Sequence, residues 1–313
     1  MRCPFLREAQ IESCRASEFS KTVARREEDN ETGRCSSPSF VSCPAIKEYK
    51  EESPIHSHCP FLQESLTRYC SAAPVTKYVP YDNSSSSRCG NSNHRYCELF
   101  LETADKDNDV YSVDGIRAAS WLFYSPNHMW IDIDEEGFCH IGIDAFLTKA
   151  LGNIDRLSFS TTRGYSRPSV SITANENNFQ LIFPKEIFVS AFNGNLRAAP
   201  DRVSNEPYTN GWLFEGIAGR NRTTPINATE VSKGFISGKD IRVWMQNESR
   251  RLSEFMRTRK TNHNGDESSS MNDGGTFSEG VLRFLDEREV KSVYNSFFSP
   301  NLTCPKFSSG ENK

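Results

Sequence analysis

Ten cysteines stand in this chain of 313 residues, and eight of them precede residue 98. They fall into two sets with nearly one spacing. Cys3, Cys14, Cys35 and Cys43 read C-x10-C-x20-C-x7-C; Cys59, Cys70, Cys89 and Cys97 read C-x10-C-x18-C-x7-C. The surrounding text repeats as well. CPFLREAQIESC returns as CPFLQESLTRYC, RCSSPSFVSC returns as RCGNSNHRYC, and Lys21 and Val23 recur as Lys77 and Val79. Only the longest gap differs, where a loop absorbs insertions cheaply. Four cysteines that recur in register mark an internal duplication.

Four thiols in a small, apolar-poor unit are the donor set of a metal staple. Zinc takes four thiolates tetrahedrally, and its binding energy becomes folding energy. An iron–sulfur cluster also takes four cysteines. No C-x2-C knuckle is present, so zinc and iron–sulfur both stay open. Two plainer fates stay open beside them: reduced structural thiols, or disulfides if the chain is exported. His56, His58 and His94 lie near the second set, but the first set has no counterpart for any of them, and they read as surface residues.

The elements that position these thiols constrain the sites. Pro4 suits a first helical position, and the Glu, Ala and Gln that follow favour a helix over the phrase from Pro4 to Ser13. An unbroken helix would hold Cys3 and Cys14 roughly 16 Å apart. Thiolates on one ion sit within about 4 Å of each other. Either the helix is interrupted, or the two cysteines serve different sites, with exchange of ligands between the copies as one route.

Hydrophobic residues make up 36% of the chain and charged residues 25%, with a net charge of −4. That balance excludes a basic nucleic-acid or anionic-membrane surface. Charges interrupt the first residues too often for a signal peptide, and no apolar run reaches a membrane span, so the cytoplasm is the expected compartment. There is no Walker A loop, nucleotide fingerprint, G-x-S-x-G or H-E-x-x-H.

The expected architecture is α+β and multidomain. Residues 1–50 and 51–100 form the two four-cysteine modules, mostly helical or irregular. Residues 119–217 alternate short apolar stretches with turn signals, a β-rich pattern. Residues 229–260 carry a helix from about Gly238, with Ile241, Trp244, Met245, Leu252, Phe255 and Met256 near helical spacing. Residues 261–276 have linker composition, and residues 277–299 give C-terminal helices. Cys139 and His140 are neighbours in a strand and point to opposite faces, a core cysteine beside an exposed histidine. His128 and Trp130 are expected to pack.

The β-rich stretch carries a resemblance. HMWIDI resembles the H-x-W opening of the glycine cleavage system H protein family. GIDAF (Gly142 to Phe146) is similar to its G-I-x-x-F/Y segment, LGNI (Leu151 to Ile154) to its L-G-D-I, and NEPYTNGWLFEGI (Asn205 to Ile217) to its N-x-x-P-Y-x-x-G-W-L ending. Order and spacing agree from about residue 120 to residue 217. The resemblance implies a lipoyl/biotinyl-type barrel-sandwich whose hairpin presents a lysine bearing lipoate. The family places that lysine eight residues before a proline. Here the proline is Pro184, and eight residues back stands Glu176, in TANENNFQLIFP. Lys149 and Lys185 are the nearest lysines, and neither falls at the expected hairpin tip.

The expected function is a non-catalytic binding or assembly protein: an H-protein-like barrel without lipoate, two cysteine-ligated metal sites, and a protein partner that the sequence does not name. Two other readings are a divergent H protein acting as lipoyl carrier, and an iron–sulfur redox or sensing protein.

Overall fold

The computed structural model describes residues 2–16, 21–23, 34–48, 58–79, 88–103, 110–134, 136–221, 224–225, 228–262 and 277–303. The chain divides into two compact units, Met1–Phe100 and Leu101–Lys313.

The first unit is built on a sheet. Strand β1 (Leu6–Cys14) is followed by a short β2 (Lys21–Val23), 3-10 turns at Arg34–Ser36 and Pro38–Ser42, and helix α1 (Pro44–Glu48). The second copy repeats this order. Strands β3 (Leu62–Cys70) and β4 (Lys77–Val79) precede 3-10 turns at Arg88–Gly90 and Ser92–Tyr96, and helix α2 (Glu98–Thr103) follows. The strand order is β2-β1-β3-β4. Strands β1 and β3 pair antiparallel from Leu6↔Cys70 to Cys14↔Leu62, a register that exchanges the two copies about its centre. The first phrase is therefore a strand, not the helix its Glu, Ala and Gln favour. The ladder with its own duplicate outweighs intrinsic propensity, which is worth only tenths of a kcal/mol per residue. The module is accordingly sheet-based, where helical or irregular structure was expected.

This unit has little core. Among its described residues the buried apolar side chains are Cys3, Phe40, Cys59 and Phe100, while Leu66, Val75 and Tyr78 are exposed. His94 is buried rather than exposed: its Nδ1 lies 2.7 Å from the Asn91 carbonyl, and its ring meets Phe100 edge-on. His58 is exposed, and His56 lies outside the described residues.

In the second unit a hairpin of β5 (Val110–Val113) and β6 (Ile116–Ala119) precedes β7 (Phe123–Tyr124), β8 (Met129–Ile133) and β9 (Phe138–Ile143). Helix α3 (Ala145–Leu151) leads to β10 (Arg156–Phe159), β11 (Gly164–Ser166), β12 (Ser169–Ala174), β13 (Asn177–Ile182) and β14 (Ile187–Phe192). Helix α4 (Arg202–Asn205) and β15 (Phe214–Ile217) complete the sandwich. One sheet runs β11-β14-β15-β9-β8-β7 and the other β10-β12-β13. Burial alternates along β12 and β13, as expected where one face of a strand is covered. The inner faces meet through Phe159 of β10, whose ring lies 5.4 Å from Phe214 and 5.5 Å from Phe192.

After the sandwich come α5 (Ala228–Val231), the long α6 (Asp240–Asn262) and α7 (Glu287–Val293). Helix α6 buries Ile241, Trp244, Met245, Leu252 and Met256, with Phe255 half-buried. Phe277, Phe297 and Phe298 are buried as well, and Phe277 and Phe297 both pack on Phe146 of α3. The C-terminal segments thus complete the core of this unit. Residues 263–276, most of the expected linker, and Cys304 lie outside the described residues. Among the described residues no helix is long and apolar enough to cross a membrane.

Candidate functional sites

The hairpin β12–β13 closes through Asn175 and Glu176, between the paired Ala174 and Asn177. Both turn residues are left-handed, at φ 49° and 65°, as a two-residue type I′ turn requires. Asn tolerates that region; Glu does so at a steric cost. Asn175 Nδ2 donates to the Leu151 carbonyl at 2.9 Å, tying the tip to the end of α3. Glu176 is exposed at the apex. A groove of about 910 Å³ runs beside it, lined in part by Glu176, Asn178, Arg283, Lys291 and Tyr294. Tyr294 donates to the Gln180 carbonyl at 2.5 Å.

The lysines nearest in sequence sit elsewhere. Lys149 is on α3, where Nζ donates to the Asp114 carbonyl at 2.9 Å and lies 4.9 Å from the Phe277 ring centre. Burial pulls its pKa down, against the charges of Asp114 and Glu279. Lys185 lies between β13 and β14, away from the turn.

The short motifs of the sandwich converge on one indole. Trp130 is fully buried, and its Nε1 donates to the carbonyls of Ile143 at 2.9 Å and Pro207 at 3.2 Å. It covers Gly142 so closely that a β-carbon there would stand 2.4 Å from the ring. Beside it Tyr208 donates to the Arg117 carbonyl at 2.6 Å and accepts from the Ala145 amide at 3.0 Å. H-x-W, G-I-x-x-F and P-Y-x-x-G-W-L are thus parts of one packing unit.

His128 opens the next layer. Asp144 caps α3 by accepting from the Leu147 amide at 2.9 Å and also receives His128 Nδ1 at 2.8 Å. His128 Nε2 stands 3.6 Å from Glu248 on α6, an ion-pair distance rather than a hydrogen bond, and Glu248 meets Arg251 at 2.5 Å. The imidazole is stacked between Phe146 and Trp244 at 4.1 and 4.8 Å. Burial pulls the His128 pKa down, but the charge and hydrogen bond of Asp144, with Glu248, outweigh it and hold it at about 9. Burial likewise pushes Glu248 up, and the His128 and Arg251 cations bring it net below its usual value. The pairing of His128 with Glu248 goes beyond what the sequence motifs show. Its signal was spacing: Glu248 stands seven residues after Ile241 and four before Leu252, on the apolar face of the helix.

Cys139 is buried, and burial with the Asp134 and Asp132 charges pushes its thiol up to about 12, so it is inert. His140 faces the other way and is only half-buried. It lies 3.8 Å from Glu215 and edge-on to Trp212, and burial pulls its pKa down.

In the first unit the eight cysteines are all free thiols, and the chain geometry gathers them at the two ends of the β1–β3 ladder. At one end the Cys59 amide donates to the Cys35 carbonyl at 2.7 Å. Leu62, which bonds back to the Cys59 carbonyl, faces Cys14 in the ladder. At the other end the Cys3 amide donates to the Cys89 carbonyl at 2.9 Å, and Leu6, which bonds back to Cys3, faces Cys70. Cys43 and Cys97 each close the 3-10 turn that follows Cys35 and Cys89. Burial raises the pKa of Cys35, with further raising by Cys59, Cys14 and Cys43. Burial raises that of Cys89 too, with Cys3, Cys97 and Cys70 adding to it. Cys3 is raised by burial and by Cys70 and Cys97. Among the described residues, no three histidine, cysteine or carboxylate groups stand in ion-holding geometry, so these are neighbourhoods of thiols and not closed tetrahedra.

A two-sheet sandwich with a two-residue hairpin at its edge defines a lipoyl-type barrel domain. Comparison with known proteins agrees: residues 122–231 match the glycine cleavage H-protein family. The glycine cleavage system H protein of Hydrogenovibrio crunogenus is 30% identical over 99 residues, spanning 31% of this chain and 77% of the relative. That of Nitratidesulfovibrio vulgaris is 30% identical over 122 residues, 38% of this chain and 87% of the relative. A solved H protein from Mycobacterium marinum shares 20% identity over 37% of this chain and 97% of its own, with a TM-score of 0.29. The chain belongs to the glycine cleavage H-protein family through this domain.

Proposed function

We propose that the chain is a non-catalytic binding or assembly protein, in which an H-protein-like barrel without lipoate is joined to two cysteine-ligated metal sites and docks on a protein partner in the cytoplasm. The observation that carries the reading is Glu176 at the exposed apex of the hairpin, the position at which the family resemblance calls for a lysine. A carboxylate cannot form the amide that holds lipoate. Lys149 is held on α3 by the Asp114 carbonyl, and a swinging arm needs a projecting site. The free thiols and thin core of the first unit support metal as its staple. Intact-mass measurement after expression with lipoate, together with metal analysis, tests both halves.

Carrier function is the second reading, favoured by relatives that are named as glycine cleavage system H proteins. One lipoyl adduct on the purified chain would establish it over the first. A third reading, a redox or sensing protein, rests on the same thiols holding iron–sulfur clusters. A brown, sulfide-bearing protein from anaerobic purification supports it; a colourless one with zinc excludes it.

A further inference from the structure

Beyond the proposal that the cysteines bind metal, on which this rests, we infer that the two metal centres are ligand-swapped. Cys14, Cys35 and Cys43 of the first copy are completed by Cys59 of the second, and Cys70, Cys89 and Cys97 of the second copy are completed by Cys3 of the first.

The swap follows from the strand. Eight steps from Leu6 to Cys14 span roughly 27 Å in an extended chain. Thiolates on one zinc ion lie within about 4 Å of each other, so Cys3 and Cys14 belong to different centres. The antiparallel register then decides which cysteine replaces which. Cys14 ends β1 opposite Leu62, and the turn from Leu62 back to Cys59 brings the first cysteine of the other copy to that end. The bond from the Cys59 amide to the Cys35 carbonyl fixes Cys59 on the 3-10 segment that Cys35 and Cys43 bracket. Arg15 and Phe61 tie the same end, with the Arg15 amide donating to the Phe61 carbonyl at 2.9 Å. The other end repeats each contact: Leu6 to Cys3, Cys3 to Cys89, and the Ser71 amide to the Phe5 carbonyl at 2.9 Å.

Three hydrogen bonds at each end, obeying one pseudo-two-fold, are what exchange of the leading cysteine requires. A within-copy set would have to bridge the length of β1. In the swapped arrangement neither copy owns a complete site, so the metal holds the duplicate halves together. The same four thiolates suit one zinc ion or one iron–sulfur cluster.

Paired serine substitutions in the full chain discriminate the two partitions, read as metal per chain by elemental analysis with visible spectra and sulfide assay. C14S/C59S removes two ligands from one swapped centre and is expected to halve the metal content of the wild type. C3S/C14S removes one ligand from each and is expected to lower the occupancy of both centres. Confinement of each site to one copy reverses the pattern, with C3S/C14S keeping one centre intact, and overturns the swap while leaving metal binding standing. A wild-type chain free of zinc and of iron overturns both. Should both variants lose all metal by unfolding, mild oxidation of the metal-loaded wild-type chain, in which thiolates that share a centre are the ones close enough to join as disulfides, and peptide mapping decide. Cross-copy links Cys35–Cys59 and Cys3–Cys89 are expected, and links confined to one copy refute the swap. Zinc in the intact protein assigns single ions, and iron with sulfide assigns clusters.

Discussion

Asp144 accepts a hydrogen bond from His128 Nδ1 at 2.8 Å, and both side chains are wholly excluded from solvent. The pair fastens three things at once: the start of α3, which Asp144 caps, the H-x-W stretch, and helix α6 through Glu248. The histidine of H-x-W is thus a structural cation, set among Asp144, Glu248 and, behind them, Arg251.

The pH dependence of stability has a definite sign. The folded pKa of His128 lies near 9, against an ordinary imidazole value of 6.5. A raised pKa contributes stability fully below the unfolded value and loses it as pH rises through the folded value. The unfolding free energy of the second unit is expected to fall between pH 6.5 and 9, by a total on the order of 3 kcal/mol at most, and its thermal midpoint with it. Glu248 is shifted the other way, so its contribution is present above its unfolded value and is lost on acidification. Thermal melts across this range check the account, and D144N is expected to flatten the fall. An equally steep fall in D144N removes His128 as its cause.

Gly142 leaves no room for a side chain beneath Trp130. G142A is expected to cost about 1–3 kcal/mol, the usual penalty for overpacking. Urea unfolding followed by tryptophan fluorescence reads it. A neutral G142A would show that the indole moves freely.

The hairpin apex makes two opposite predictions from one residue. E176G removes a β-carbon from a left-handed position and is expected to stabilise the hairpin by about 0.5–1 kcal/mol. E176K keeps the exposed tip and supplies an amine. Co-expressed with a lipoyl ligase, this variant is expected to gain one lipoyl group by mass, where the wild type gains none.

Metal removal is expected to act on one unit alone. Among the described residues the first unit buries few apolar side chains, whereas the second has Trp130, Trp244, Phe146, Phe183 and Phe214 fully enclosed. A chelator, or for clusters an oxidant, is therefore expected to abolish the ordered far-UV signal of residues 1–100 while the melt of the second unit is unchanged. Loss of both transitions together would contradict separate stapling.

Much of this was legible in the residues. The duplication was, because eight cysteines in register admit no other reading, and so was the sandwich, because HMWIDI, GIDAF and NEPYTNGWL carry the contacts that Trp130 makes. The hairpin tip fell where Pro184 placed it. The first strand was not legible. Glu8, Glu12, Arg7 and Ser13 give Leu6–Cys14 no apolar alternation, and its strand character comes from pairing with a copy more than fifty residues away. The burial of His94 depends on Phe100 closing over it, and that of Glu248 on a histidine 120 residues earlier. Neither partner is visible to local pattern.

Native mass spectrometry of the intact chain, expressed with lipoate and purified without oxygen, tests the central claim most directly. The account predicts the polypeptide mass plus two equal metal centres and no lipoyl adduct. A species carrying one lipoyl group, or a folded chain carrying no metal at all, would contradict it.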